Sequence, residues 1–261
     1  MHGLIPIFKK YKQSNLQKNI IYTAVFGNFD QLSEIHNPSQ NIDYICFTDN
    51  KLLVSSTWKI IVCAINNMEP RKSAKIFKVF PHEFFPNSEL TLWVDGNYII
   101  KKNHYHFFME NDQITGIKFF RHSQRNCIYD EGDFLVKNKP EFDPVIIKKQ
   151  LSCYLDAGFP YKHGLINGAI ILRNSQNKTV KKLMSDWWEE IENHSIRDQL
   201  SFNYVCWKNN YHLKYFNEEI SNFKFFQYLP HGSKINFFSL FNVKILLIKI
   251  LKKLNIHVRN S

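Results

Sequence analysis

The feature that most constrains this chain is an apolar segment, Leu90–Val94, that is followed directly by Asp95, Gly96 and Asn97. The segment has the length and composition of a buried β-strand. In α/β sheets, ligands bind at the carboxyl ends of such strands. Gly96 removes side-chain bulk where a phosphate-bearing ligand would approach the backbone. The pattern therefore predicts a ligand site at this strand end, with an ordinary Asp-Gly turn as the alternative.

Further apolar segments alternate with helical patterns. We expect strands at Ile20–Phe26, Asp43–Asp49, Trp58–Ala64 and Gly164–Arg173. We expect helices at Arg71–Phe80, Pro144–Leu155 and Thr179–Asn193, and another that opens within Ser195–Phe202. This alternation predicts an α/β fold, with a mainly parallel central sheet flanked by helices. No internal repeat interrupts it, so we expect one domain over 19–235, between a basic lead-in over 1–18 and a distinct segment over 236–261.

The composition is that of an ordered globular protein, with 44% hydrophobic residues and only 9 Gly and 9 Pro in 261 residues. The five cysteines are widely spaced and form no Cys-x-x-Cys pair, so we expect neither a disulfide framework nor a zinc site. A reducing cytoplasm fits this pattern. Residues 1–18 also lack the continuous apolar core of a secretory signal.

The net charge of +11 is concentrated in three stretches, Lys9–Lys18, Arg71–Lys78 and Lys244–Arg259. Such a chain binds nucleic acid, anionic lipid or phosphorylated small molecules. No zinc-finger or RNP-type signature is present, so we expect no nucleic-acid partner.

The segment Asn236–Leu254 consists largely of apolar residues and lysines, and its polar residues fall on one side of a helix. Its lysines are too frequent for a membrane-spanning helix. Two readings stay open. The first is a basic amphipathic helix lying on an anionic membrane surface. The second is a terminal helix docked on its own domain or on the partner of a homodimer.

Several strings along the chain resemble the successive landmarks of a GT-A type glycosyltransferase, which has a Rossmann-like fold. These are Tyr22–Gly27, Ile45–Asp49, Trp93–Asn97, Tyr129–Glu131, Trp187-Trp188 and Arg197–Phe202. The chain most resembles the family first catalogued as domain of unknown function 616, which has members among plant Golgi proteins and in bacterial polysaccharide gene clusters. The resemblance covers Ile20–Lys234, and a weaker similarity connects the chain to glycogenin-like retaining transferases.

The resemblance implies a nucleotide-diphosphate sugar donor, with UDP as the expected nucleotide, bound at the carboxyl ends of the sheet. It also implies a divalent metal ion, Mn²⁺ or Mg²⁺, on an Asp-x-Asp motif. Asp95 matches the first position of that motif, and Asn97 stands at the second, where it supplies a neutral oxygen and one negative charge less. His231 is similar to the histidine ligand of glycogenin-type enzymes.

The same resemblance assigns further residues to the donor. Arg71, Lys75 and Lys234 would neutralise the diphosphate as it leaves. Residues expected around the nucleotide and the sugar are Thr23, Phe26, Gly27, Asp49, Gly96, Asn167 and Gly168. Ordinary roles remain open for some of them, because Thr23 and Phe26 are also typical core residues and Asp49 is also a typical turn residue.

Asp198 and Gln199 resemble the pair that such enzymes place beside the sugar and the acceptor. In an inverting reaction, Asp198 is our first candidate for the base that deprotonates the acceptor hydroxyl, and Glu131 is the second. In a retaining reaction, Asp198 would instead position the sugar or stabilise positive charge at the anomeric carbon. A helix-capping role for Asp198 is the structural alternative.

Together these expectations describe a hexosyltransferase that builds cell-surface polysaccharide, such as capsule or lipopolysaccharide O-antigen. Its acceptor would be a glycan or a lipid-linked glycan, reached from the cytoplasmic face of a bacterial membrane. The alternative is a non-catalytic protein of the same fold that binds a nucleotide sugar or a glycan, and Asn97 is its main support.

Overall fold

The computed structural model describes residues 19–63, 68–102, 104–111, 113–218, 220 and 224–230. Strands in these ranges are β1 (Asn19–Val25), β2 (Asp43–Thr48), β3 (Lys59–Val62), β4 (Leu90–Val94), β5 (Tyr98–Ile100), β6 (Ile117–Arg121), β7 (Ile166–Asn174), β8 (Lys214–Tyr215) and β9 (Phe226–Tyr228). A seven-strand sheet has the order β3-β2-β1-β4-β7-β6-β8, and β5 pairs with β9.

The seven-strand sheet is mainly parallel, as predicted. Strands β3, β2, β1 and β4 pair in parallel, while β7 is antiparallel to both of its neighbours, β4 and β6. This reversal, which the sequence did not indicate, places the start of β7 beside the end of β4. The Asp95 amide accordingly donates to the Ala169 carbonyl at 2.8 Å. Residues from β1, β4 and β7 therefore meet at one edge of the sheet.

The helices are α1 (Pro70–Val79), α2 (Pro81–Phe84), α3 (His104–Met109), α4 (Ile128–Asn138), α5 (Pro144–Asp156), α6 (Lys178–Asn193) and α7 (Phe202–Lys208), with a 3₁₀ helix at Asp198–Leu200. Successive strand residues point to opposite faces of the sheet. Tyr22 belongs to the apolar layer that contains Phe77 of α1 and Trp187 of α6. Its neighbour Ile21 belongs to the layer that contains Phe108 of α3. Both faces are therefore covered.

The predicted elements lie within two residues of their observed bounds, apart from the stretch around Asp198. There the structure has the 3₁₀ helix, and α7 begins only at Phe202. The mixed sequence before Asp133 gave no clear prediction, and it contains β6 and the start of α4. None of the helices in the described ranges has both the length and the apolar composition needed to cross a bilayer. The predictions for 1–18, His231, Lys234 and 236–261 lie outside the described residues.

Candidate active site

Helix α1 brings two lysines to the carboxyl-terminal edge of the sheet. Its start is fixed by Glu69, whose carboxylate accepts from the Arg71 and Lys72 amides at 3.1 and 2.9 Å. An acidic cap of this kind satisfies free amides at a helix start and favours the helix dipole. Lys75 and Lys78 are three positions apart and therefore lie on the same face of α1.

These lysines meet two carboxylates. Lys75 Nζ and Lys78 Nζ lie 2.9 and 2.7 Å from Oδ2 of Asp198, and Lys78 Nζ lies 3.3 Å from Oδ1 of Asp95. The side chains of Lys78 and Asp198 are only 5% and 6% exposed. Lys78 thus links the end of β4 to the 3₁₀ helix, in a setting where water screens charges weakly.

The charges of this cluster support one another. Burial alone would raise the pKa of the Asp198 carboxyl, but the ammonium groups of Lys75 and Lys78 hold that pKa well below its usual range. Burial opposes the charged form of Lys78, and the nearby carboxylates of Asp198 and Asp95 overcome it, so its pKa lies above the usual value. Burial lowers the pKa of Lys75, and Asp198 only partly offsets this.

A buried arginine holds the end of α1 in place. Arg173 of β7 is fully buried, and its Nη2 donates to the Lys78 carbonyl at 2.5 Å and to the Tyr22 hydroxyl at 2.6 Å. A cation at the carboxyl-terminal end of a helix is favoured by the helix dipole. Arg173 therefore fixes the backbone from which the Lys78 side chain extends.

The turn after β4 needs glycine for steric reasons. A Cβ on Gly96 would lie 2.9 Å from Cγ2 of Val25, closer than such carbons approach in folded proteins. The Tyr98 amide donates to the Asp95 carbonyl at 3.1 Å and closes the turn. Trp93 Nε1 also donates to Asp95 Oδ1 at 2.6 Å, which orients the carboxylate.

The start of β7 supplies the neighbouring small residues. Asn167 Oδ1 accepts from the Ala169 amide at 3.0 Å. A Cβ on Gly168 would lie 3.4 Å from Lys78 Nζ and 3.6 Å from Asp198 Oδ2. The absence of a side chain at Gly168 therefore leaves space beside these charged groups. Gln199 Nε2 donates to the Ile166 carbonyl at 3.0 Å, which ties the 3₁₀ helix to β7.

These groups line a cavity of about 690 Å³ at the carboxyl-terminal edge of β1 and β4. Its volume is in the range of small-molecule and cofactor sites. The predicted residues that line it are Phe26, Arg71, Lys75, Asp95, Gly96, Asn97, Asn167, Gly168, Asp198 and Gln199. Arg71 lies between two aromatic rings, 5.3 Å from the Phe29 centroid and 5.1 Å from that of Phe142.

Four of the predicted residues that the structure describes lie outside the cavity lining, namely Thr23, Gly27, Asp49 and Glu131. Thr23 is buried within β1, and Gly27 has a left-handed backbone with a φ of 64°. Both carboxylate oxygens of Asp49 accept from the Gly27 amide at 3.1 Å, so Asp49 stabilises the turn at Gly27. These positions fit the turn and core roles that the sequence left open.

Glu131 also lies away from the cavity, which argues against its proposed role as a base. Its side chain is fully buried, and it accepts from Arg125 Nε at 2.6 Å and from Arg197 Nη2 at 3.2 Å. His122 Nε2 lies 3.9 Å away, and burial lowers the pKa of that histidine. The two guanidinium groups saturate the carboxylate. Glu131 therefore holds Arg197 beside the cavity and does not itself face the cavity.

Sequence reasoning placed Lys78 in the basic stretch Arg71–Lys78 but missed it as a site residue. A signal was available, because Lys78 follows Lys75 by three positions on a predicted helix and must share its face. Arg197, His122 and Tyr98 also line the cavity and were not predicted as site residues. His122 follows β6, Tyr98 begins β5, and Arg197 contacts Glu131 of α4. The local pattern predicted none of these three elements.

The described residues fit a divalent cation poorly. Asp95 Oδ1 already accepts from Trp93 and faces the Lys78 ammonium. Asn97 adds a neutral oxygen. Among the residues that the structure describes, no three His, Cys, Asp or Glu side chains form a group that could hold a metal ion. His231, the remaining predicted ligand, lies outside them.

Comparison with known proteins bears on this cavity. Residues 8–231 match the model of the TOD1/MUCI70 glycosyltransferase-like domain. The chain belongs to this family. A curated relative named "Probable hexosyltransferase MUCI70", from Arabidopsis thaliana, is 24% identical over 220 residues, which make up 71% of this chain and 36% of the relative. The chain thus spans little more than a third of that protein's length.

The TOD1/MUCI70 match confirms the expected resemblance to a glycosyltransferase family. It covers β1 to β9 and therefore every described residue of the cavity. The finer expectations, namely a GT-A type site, a UDP donor and the identity of the acceptor, stay predictions.

Proposed function

We propose that this TOD1/MUCI70 domain transfers a hexosyl group from a UDP-linked donor to a glycan acceptor, in the manner of GT-A enzymes. One observation carries the proposal. Two lysines, Lys75 and Lys78, and two carboxylates, Asp95 and Asp198, converge in one cavity at the carboxyl ends of parallel strands. Cationic groups suit a diphosphate leaving group, and a carboxylate beside them suits the sugar or the acceptor.

The lysines have a defined task in this reaction. When the bond between the sugar and the diphosphate breaks, negative charge develops on the departing phosphate oxygens. Buried ammonium groups stabilise such charge strongly because little water screens them. Lys75 and Lys78 are held beside the cavity by α1, so little rearrangement of the backbone is needed to present them.

The task of Asp198 depends on these lysines. Without a donor, both lysines bind its carboxylate, and its low pKa makes it a weak base. A bound diphosphate would compete for the same ammonium groups, and Asp198 would then become more basic. In an inverting reaction it would accept the proton of the acceptor hydroxyl, and in a retaining reaction it would stabilise positive charge on the sugar.

The cellular setting is also part of the proposal. The acceptor would belong to a cell-surface polysaccharide, capsule or lipopolysaccharide O-antigen, and the enzyme would act at the cytoplasmic face of a bacterial membrane. The lysine-rich segment 236–261 supports contact with anionic lipid, with homodimer contact as its alternative. A lipid-linked acceptor would then lie in the same membrane that the enzyme contacts.

A panel of UDP-hexoses tests the activity. The true donor should raise the midpoint of thermal unfolding by mass action and should release UDP when a glycan acceptor is added. Stabilisation by a donor without any transfer or hydrolysis would favour the second candidate function, a binding protein of the same fold. Asn97 at the second motif position, and the lysines that hold Asp198, are the observations behind that candidate.

A further inference from the structure

The Asp95 carboxylate is engaged by a cation that belongs to the chain. Its Oδ1 accepts from Trp93 Nε1 at 2.6 Å and from Lys78 Nζ at 3.3 Å. Lys78 is 5% exposed, and Arg173 fixes its backbone carbonyl. A divalent cation bound to Asp95 would lie next to this buried ammonium, and the two positive charges would repel each other.

The surrounding oxygens do not compensate for this repulsion. Sites for Mg²⁺ or Mn²⁺ use hard anionic oxygens, commonly one or two carboxylates together with substrate phosphates. Asn97, which is 5% exposed, brings no charge. Asp198 is engaged by Lys75 and Lys78. The turn from Asp95 to Asn97 thus offers less negative charge than a divalent cation prefers. Two other carboxylates, Asp30 and Glu141, line the cavity, but among the described residues they form no group of three ligands with Asp95.

The same arrangement suits an anion. Lys75 and Lys78 are paired with Asp198, and Lys78 also with Asp95, so an incoming diphosphate would compete with these carboxylates for the two ammonium groups. An ammonium has three donors and can contact two anions at once. Gly168 leaves room for a ligand beside Lys78. A Cβ at this position would occupy that room, because it would lie 3.4 Å from Lys78 Nζ.

We propose that Lys78, assisted by Lys75, supplies the positive charge that binds the diphosphate of the donor, so that this domain works without a divalent metal ion. This inference rests on the proposed function and specifies how that site neutralises its leaving group. Lys78 would contact the phosphate oxygens while it remains near Asp95, and Asp198 would lose one of its two ammonium partners.

Binding to the wild-type chain is the first test. UDP and inorganic diphosphate are titrated calorimetrically, once in excess EDTA and once in excess Mn²⁺. We expect each probe to bind in EDTA at least as tightly as in Mn²⁺, because Mn²⁺ also forms complexes with the free probe. A site that needs the metal would instead lose a factor of ten or more in EDTA, which corresponds to at least about 1.4 kcal/mol. Electron paramagnetic resonance of Mn²⁺ with the protein alone should show no saturable site. This measurement depends neither on activity nor on a variant that must fold.

Variants test whether Lys78 supplies the positive charge that binds the diphosphate. Lys78→Met should weaken UDP binding by about tenfold to a hundredfold, the loss expected for one charge-assisted hydrogen bond, and Mn²⁺ should not restore it. Lys78→Arg should retain most of the affinity because it keeps the charge. Lys118→Met is the matched control, since Lys118 is a half-buried lysine of β6 that contacts Asn111 and does not line the cavity.

Three results would overturn the inference. UDP binding that is lost in EDTA and returns with Mn²⁺ would show a metal-dependent donor site, and would leave the proposed function standing. Equal binding by the wild type and a folded Lys78→Met variant would show that Lys78 is not the countercharge. Failure of both probes to bind under either condition would contradict the proposed function, and the inference with it.

Discussion

Lys78 Nζ lies 2.7 Å from Oδ2 of Asp198, and both side chains are almost fully buried. This ion pair joins α1 to the 3₁₀ helix beside the cavity. Buried pairs contribute little net stability compared with apolar substitutes, but the loss of one partner leaves the other charge uncompensated. The pair is therefore better explained by the chemistry of the cavity than by stability.

Glu131→Gln should destabilise the fold by about 3 kcal/mol or more, because two guanidinium groups would lose their buried anion. Chemical denaturation measures this change. Asp133→Asn, on the exposed side of the same helix, should change stability by less than about 0.5 kcal/mol. A variant of normal stability whose turnover is abolished would instead identify Glu131 as a catalytic base.

Gly96→Ala should lower the free energy of unfolding by about 1–3 kcal/mol, because its Cβ would overlap the Val25 side chain. In a Val25→Ala background, which removes the contacting methyl group, the same substitution should cost much less. A double-mutant cycle of unfolding free energies measures this coupling. Equal costs in the two backgrounds would show that the close approach to Val25 is not the reason for glycine.

His82 should make stability depend on pH below neutrality. Burial, with smaller contributions from Lys181 and Arg173, lowers its pKa from 6.5 to about 4. Between those values the unfolded chain binds a proton that the folded chain does not, so stability falls by about 1.4 kcal/mol per pH unit as the pH decreases. His82→Gln should remove this contribution, whereas His106→Gln, at an exposed position, should not. Matching pH profiles for the wild type and His82→Gln would contradict the assignment.

Residues 236–261 should carry the membrane contact. A chain that ends at residue 235 should no longer sediment with vesicles that contain phosphatidylserine, and should still act on a soluble acceptor. Neutral phosphatidylcholine vesicles provide the comparison, because they lack the charge that attracts lysines. Undiminished sedimentation of the shortened chain with the anionic vesicles would place the contact elsewhere.

The sequence predicts the site residues whose positions follow from their neighbours in the chain. It misses those whose positions depend on contacts between distant segments. Asp95 and Gly96 follow from a local pattern, a buried strand with polar residues at its end. For Lys78, the local pattern gives only the helix face that it shares with Lys75, because its role arises from contact with Asp198, which is 120 positions away in the chain. The antiparallel direction of β7, which brings Gly168 to the cavity, likewise depends on pairing between strands and leaves no mark on local periodicity.

The difference between local pattern and long-range contact also explains why Glu131 lies outside the cavity lining. The resemblance to glycosyltransferases made Glu131 the second candidate for the catalytic base. Its burial beneath Arg125 and Arg197 depends on how α4 packs against the 3₁₀ helix, which sequence spacing does not specify.

UDP release from a matched UDP-hexose and glycan acceptor, compared between the wild type and Asp198→Asn, tests the central claim most directly. The claim is that the cavity with Lys75, Lys78, Asp95 and Asp198 performs glycosyl transfer. We predict transfer by the wild type and a reduction of about a hundredfold or more in a folded variant that still binds UDP. A wild type that binds nucleotide sugars but never transfers them, or a variant of undiminished activity, would contradict the claim.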